Sequence, residues 1–153
     1  MKIAQLLPVD QAGTMPLPAD GLPELMKENC RAMTLFYQSI GFEPPWIGYI
    51  SMAEGRPVGG GAFKGPPRKN CVEIAYYTLP ELEGRGFASA TARALIQIAL
   101  STVPTIVVTA QTLPTPNASN ALLKKLGFTF HGMVLHPEHG EVWEWQLGSR
   151  EDR

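Results

Sequence analysis

Apolar residues recur at helical spacing over 22–40. Leu22, Leu25, Met26, Asn29, Met33, Phe36, Tyr37 and Ile40 follow i, i+3, i+4, i+7 with one polar interruption, which predicts an amphipathic helix. Asp20 is placed to cap it, Pro23 sits near the first turn where its missing N–H costs little, and Gly41 is a stop. Before it, 2–7 predicts a short strand closed by Pro8, then a loop with Gly13, Pro16 and Pro18. After Pro44 and Pro45 the period changes. Strands are predicted over 46–53, 58–64 and 71–78, separated by the turns Glu54-Gly55-Arg56-Pro57 and Gly65-Pro66-Pro67. Together they predict an antiparallel meander whose middle strand is weakened by Gly59, Gly60 and Gly61.

The second half alternates differently. A turn over 79–86 leads into a helix over 87–100. After Pro104, 106–110 is nearly pure apolar, the pattern of a buried strand of the parallel type. Pro114 and Pro116 end that segment, and Asn117 or Ser119 can cap a helix that runs to Leu126 and stops at Gly127. The stretches 128–135 and 142–147 predict a last hairpin around the turn 137–140. The element order is β, α, β, β, β, α, β, α, β, β, with no internal repeat and no linker. It predicts an α/β or α+β fold with a central mixed sheet flanked by helices, one domain over 1–153.

Composition narrows the function classes. Hydrophobic residues at 44% and charged residues at 18% place the chain with globular proteins and away from the disordered class. With 13 basic and 14 acidic residues the net charge is -1, so phosphate-backbone binding finds no basic excess and no nucleic-acid partner is expected. Cys30 and Cys71 form no zinc or redox motif and are too few for a disulfide scaffold, which makes a reducing, cytoplasmic setting the default. No apolar run is long enough for a membrane span and the start lacks a signal-peptide pattern, so no membrane partner is expected either.

Glu83-Gly84-Arg85-Gly86-Phe87-Ala88, between a strand and a helix, is the most informative stretch. Glycines there allow a sharp turn and close approach to a ligand, and the free N–H groups of a helix start suit phosphates. A tight β-α turn that binds nothing has the same pattern. A dinucleotide fingerprint matches at Gly84 and Gly86 but finds Ser89 at its third position and no acid on the next strand, and a Walker loop is absent.

The segment resembles motif A of the GNAT superfamily, the acyl-CoA-dependent N-acyltransferases, with the pattern [QR]-x-x-G-x-[GA]. Gly86 and Ala88 match its small positions, and Glu83 departs from the usual Gln or Arg. Glu73-Ile74-Ala75-Tyr76-Tyr77 resembles the preceding strand of the branch that acetylates ribosomal proteins and small molecules. Asn117, Ser119 and Leu126-Gly127-Phe128 resemble that branch's next motif, although many members carry the Asn where this chain has Pro116. Val142-Trp143-Glu144-Trp145 resembles its last strand.

The resemblance implies acetyl transfer from acetyl-CoA, as cosubstrate and with no metal, to a primary amine, either a small molecule or a protein N-terminus. It implies that main-chain groups near Tyr76, Tyr77, Thr78 and Leu79 pair with the pantetheine arm, and that Arg85, Gly86, Phe87, Ala88 and Ser89 hold the pyrophosphate. Asn117 is placed with the cofactor, and an N–H near Tyr77 with the thioester carbonyl. Glu73, on the strand leading into the loop, is the candidate base, a surface carboxylate being the bland reading. Ser119 is a candidate acid or donor to sulfur, or a plain helix cap; many members have a Tyr where this chain has Leu123. The departures at Glu83 and Leu123 leave a second class open, an acyl-CoA-binding sensor or interaction module without turnover. A homodimer is expected by family analogy alone.

Three further groups are weighed. His131, His136, Glu138 and His139 invite a metal reading, against which a solvated turn is favoured. Trp46, Tyr49, Trp143 and Trp145 suit an acceptor pocket or core packing equally. Cys71 is read as a buried strand residue, not a nucleophile.

Overall fold

The chain order in the computed structural model, which describes residues 2–14, 22–115 and 117–148, follows the predicted alternation. It runs β1 (Gln5–Pro8), α1 (Glu24–Ile40), β2 (Gly48–Ala53), β3 (Arg56–Phe63), β4 (Cys71–Thr78), a 3-10 turn (Pro80–Leu82), α2 (Phe87–Thr102), β5 (Val107–Thr112), α3 (Ala118–Lys125), β6 (Thr129–His136) and β7 (Gly140–Leu147). Boundaries move for local reasons. Pro8 is not a stop but pairs with Tyr49. The β2–β3 turn needs only Glu54 and Gly55, with φ of 53° and 77°, so Arg56 and Pro57 already belong to β3. Helix α1 starts after Pro23 with no side-chain cap. The expected cap Asp20, with Pro16 and Pro18, lies outside the described residues.

Among the described residues the strands form a seven-stranded sheet in the order β1-β2-β3-β4-β5-β7-β6. Its one parallel pair is β4 with β5; β5 is antiparallel to β7 on its other side, so its apolar sequence reflects burial on both faces more than parallel pairing. The meander β2–β3–β4 forms as expected. Its three glycines are required by their neighbours. A Cβ on Gly60 would lie 2.7 Å from the Tyr77 ring, and one on Gly61 2.7 Å from Leu95 of α2.

Two apolar clusters hold the layers. Val72 and Ile74 turn to α2 and α3, packing with Leu95, Ala99, Val108, Leu123 and Trp145. Met26 and Cys30 of α1 join Val9, Ile50, Val58 and Phe87 in the second cluster. The buried stripe of α1 is thus Met26, Cys30 and Tyr37, whereas Leu25 and Ile40 of the predicted stripe are each 38% exposed. No helix among the described residues is long and apolar enough to cross a membrane.

Tyr37 ties α1 to the sheet. Its hydroxyl donates to the Val9 carbonyl at 3.0 Å and accepts the Gly48 N–H at 2.8 Å, all within a buried site. Tyr37→Phe leaves two buried main-chain groups unpaired and is expected to cost about 1–3 kcal/mol. Denaturant unfolding checks this, and an unchanged midpoint would contradict it.

Candidate active site

The pairing of β4 with β5 runs from Cys71↔Val107 to Ile74↔Ala110 and stops. Past that point β4 stays with β3 as far as Thr78↔Gly59, and β5 stays with β7 as far as Thr112↔Trp143. The end of β5 is held there by a buried network. Thr112 donates its hydroxyl hydrogen to Asn120 Oδ1 and accepts from Trp145 Nε1 at 3.0 Å, while Asn120 Nδ2 donates to the Thr115 carbonyl. Helix α3 is thereby pinned beside the gap between the strands. Asn120, Thr112 and Trp145 come from three segments, so no spacing rule announces the network.

Strand parity says which groups face the gap. The Lys64 N–H donates to the Glu73 carbonyl and the Leu79 N–H to the Val58 carbonyl, both at 2.9 Å. Bonded pairs alternate along an antiparallel ladder. Ala75 and Tyr77 therefore turn their main-chain groups to β3, and Tyr76 and Thr78 turn theirs into the gap. Of the N–H groups near Tyr77, those of Tyr76 and Thr78 face the gap and that of Tyr77 itself does not. Leu79 is excluded outright. Its N–H is bound to Val58, its carbonyl accepts from Leu82, and its side chain is buried in the core.

The loop after β4 meets the gap at a helix N-terminus. Gly84 and Gly86 have φ of 78° and 90°, and Gly86 caps α2 in the left-handed region. The first intrahelical bond is Ala90 N–H to Gly86, so the N–H groups of Phe87, Ala88 and Ser89 precede the ladder and are free for an anion. A cleft of about 480 Å³ runs from here into the gap, bordered by Tyr76, Thr78, Gly84, Gly86, Ala88, Ser89, Ser119 and Leu122. Glu83 stands at its rim. Arg85 is exposed outside it, and the Phe87 side chain is buried in the core. Asn117 caps α3, accepting the Asn120 N–H at 2.9 Å, so Ser119 is not the cap and is left at the cleft wall. Leu123 is fully buried in the core.

One observation fits a bound pantetheine arm. Thr78 borders the cleft, and its hydroxyl oxygen is buried with no hydrogen-bond partner among the described residues. A buried hydroxyl without a partner is costly, and a polar ligand in the gap would satisfy it.

On the far side of Tyr76 lies a second cleft, about 400 Å³, bordered by Lys64, Glu73, Gln111, Ser119, His136 and His139. The Glu73 carboxylate is 3.7 Å from Lys64 Nζ. Burial pushes its pKa above the ordinary carboxylate value, the Lys64 ammonium opposes that shift, and Glu144 adds to it. The Tyr76 hydroxyl is pushed up to about 12 by burial. His136 accepts the Glu138 N–H on Nδ1 at 3.0 Å and its ring stands 4.6 Å from that of His139. Lys64 is not singled out by the sequence and His136 is weighed there only as a metal ligand or a turn residue; Lys64 lies opposite Glu73 once the β3–β4 register is known.

Other expectations resolve simply. Trp145 is core, Trp46 packs on Phe63 at 5.1 Å and Trp143 on Phe130 at 5.5 Å, leaving Tyr49 alone of the four at a cavity wall. Cys71 is partly exposed at the start of β4, not buried. No group of three metal-ligating side chains occurs among the described residues.

The model of the acetyltransferase (GNAT) domain matches residues 11–129, well over half of the chain. The chain belongs to the GNAT acetyltransferase family. GNAT enzymes are acyltransferases that use acetyl-CoA as cosubstrate, which agrees with the gap, the loop and the helix N-terminus described above. Solved structures share this GNAT fold. RimL, a ribosomal L7/L12 alpha-N-protein acetyltransferase in complex with coenzyme A, superposes with a TM-score of 0.68 at 15% identity, covering 96% of this chain and 94% of that one. RimJ of Mycobacterium smegmatis with CoA-disulfide gives 0.69 at 15% identity over 97% and 83%. The Salmonella typhimurium acetyl transferase that modifies the N-terminal serine of L7/L12 gives 0.66 at 16% over 94% of each chain. A comparison with curated proteins gave no match.

The orphaned hydroxyl generates a stability prediction. Thr78→Val removes a buried polar group that makes no bond in the free protein, so the variant should be as stable as the parent or more stable by about 1 kcal/mol. Urea unfolding without ligand checks this, and a clear loss of stability would mean that Thr78 has a structural partner.

Proposed function

We propose that this chain transfers an acetyl group from acetyl-CoA to a primary amine by direct attack on the thioester, without an acyl-enzyme, and that 1–153 acts as one catalytic domain. The observation that carries the reading is that the gap exposing Tyr76 and Thr78 and the cleft holding Glu73 share Tyr76 and Ser119 as walls. The free N–H groups of Phe87, Ala88 and Ser89 hold the pyrophosphate, and Gly84 and Gly86 let the backbone approach it. Tyr76 and Thr78 bind the pantetheine amides as an added strand would, and one of their N–H groups polarises the thioester carbonyl.

Glu73 then does the proton work. An alkyl amine with a pKa of about 10 is almost wholly protonated near neutral pH and must lose its proton to attack. Glu73 takes that proton, directly or through water, and the neutral amine attacks. As the C–N bond forms and the C–S bond breaks, the nitrogen's second proton passes through water to the departing coenzyme A thiolate or to solvent. Its burial-raised pKa brings this carboxylate nearer the working pH, which suits a general base. Tyr76, at about 12, is too weak an acid to protonate a thiolate with a pKa of about 8.5, so Tyr76 and Ser119 act as hydrogen-bond donors at most. The acceptor is a small-molecule amine or a protein N-terminus, a range that includes the L7/L12 N-terminus acetylated by the RimL-type enzymes. A CoA-binding module without turnover is the competing reading, and the core position of Leu123 is the observation on its side.

Glu73→Gln should lower kcat by about 10²-fold or more with little change in acetyl-CoA affinity. The loss should shrink as pH rises, because more of the amine is already neutral. In the parent, activity should fall as pH drops through the Glu73 pKa. Lys64 holds that pKa down, so Lys64→Met should move this acid limb to higher pH. Matching pH–rate profiles for parent and Glu73→Gln would remove Glu73 from the mechanism. Gly86→Val should abolish acetyl-CoA binding by calorimetry. Because φ there is 90°, it should also cost about 1–3 kcal/mol of stability; normal binding would contradict the assignment of this loop.

A further inference from the structure

We infer that a cavity between α1 and the sheet is a pocket for an apolar group of about six to eight carbon atoms, brought to the reaction centre on the acyl donor or on the amine. The inference rests on the acetyltransferase reading above and adds its substrate class. The cavity measures about 200 Å³. A closed apolar cavity of about 150 Å³ is enough to take benzene.

The sequence makes the space. On the sheet, Ala62 and Ala75 stand opposite each other in the β3–β4 register, and both border the cavity. Above them, Met33 of α1 packs down against Gly48, where an added Cβ would meet its sulfur at 2.9 Å. Ala32 is exposed at the rim. Larger residues at Ala62 or Ala75 would fill the gap beneath the helix.

Among the described residues the walls carry no charge: no Asp, Glu, Lys, Arg or His borders the cavity. The nearby polar groups are neutral: the Tyr49 hydroxyl donates to the Pro45 carbonyl at 2.6 Å, burial pushes the Tyr76 and Tyr77 hydroxyls up, Asn29 carries no charge, and burial pushes the Cys30 thiol up and keeps it protonated. An apolar group gains from burial here, where the polar groups at the wall are few and uncharged.

Its position links it to catalysis. Ala75 and Tyr76 border both this cavity and the Glu73 cleft. Ala75 is two residues from Glu73 on the same face of β4, a separation of about 6.6 Å. A reactant at Glu73 can therefore extend an apolar substituent beneath α1.

Two substrate series test this. The first pairs ethylamine with straight-chain acyl-CoAs of two to eight carbons. The second pairs acetyl-CoA with ethylamine, butylamine, hexylamine and 2-phenylethylamine. Thiol release gives kcat/KM. One series should rise about fourfold per methylene until the pocket is full, and which one rises identifies the reactant that carries the group. Ala62→Leu, inside the cavity, and Ala32→Phe, at its exposed rim where folding is not at risk, should flatten that rise. Two flat series on a protein that binds acetyl-CoA by calorimetry and turns over ethylamine overturn the pocket and leave the acetyltransferase reading standing. So does a rise that both variants leave unchanged. Absence of acetyl-CoA binding overturns both.

Discussion

Everything at the reaction centre depends on the parting of β4 and β5 after Ile74 and Ala110. A continuous ladder would bond the main-chain groups of Tyr76 and Thr78 to a neighbour strand and leave no room between them. The parting persists because each strand is held on its outer side. β4 keeps β3 close through glycines that accept the Tyr77 ring and Leu95, and β5 keeps β7 and α3 through Thr112, Asn120 and Trp145. Unpaired backbone groups in a sheet interior are costly, so a partner with amide groups is the chemistry they fit.

Polarity divides the space around Tyr76 into three. The loop at Gly84 to Ser89 offers backbone donors to an anion. The Glu73 cleft offers a carboxylate beside an ammonium and two imidazoles. The cavity under α1 offers apolar walls. An acyl thioester with a charged head, an amine that must shed a proton and an apolar substituent are the complementary set. The placement of Glu73 also explains its pKa: a β-strand position under partial cover desolvates it, and Lys64 across the register limits the effect.

The element order, the meander and the loop into α2 were legible because each is a local signal: period, turn residues, glycines at a helix start. The predicted stripe of α1 includes Leu25 and Ile40, which are partly exposed, and omits Cys30, which is buried, because only the sheet beneath the helix selects the buried face. The glycines of β3 look like weakness in sequence and become close contacts in the fold. Of the expected cofactor residues, Tyr76, Tyr77, Thr78, Gly86, Ala88 and Ser89 border the cleft, whereas Leu79 and the side chain of Phe87 are core and Asn117 is a cap. The choice of Tyr76 and Thr78 over Tyr77 depends on ladder parity, which a single strand does not reveal. Lys64, the place of His136 beside Glu73 and the α1 cavity depend on register and tertiary packing, and no pattern within one segment encodes them.

Amide hydrogen exchange along β4, with and without acetyl-CoA, tests the central claim most directly. The Ala75 and Tyr77 amides bond to β3 in either state and should change little. Those of Tyr76 and Thr78 face the gap and should gain protection only when acetyl-CoA is added. Unchanged exchange at Tyr76 and Thr78 in a protein saturated with acetyl-CoA would contradict the account, because the cosubstrate would then lie elsewhere than between the parted strands.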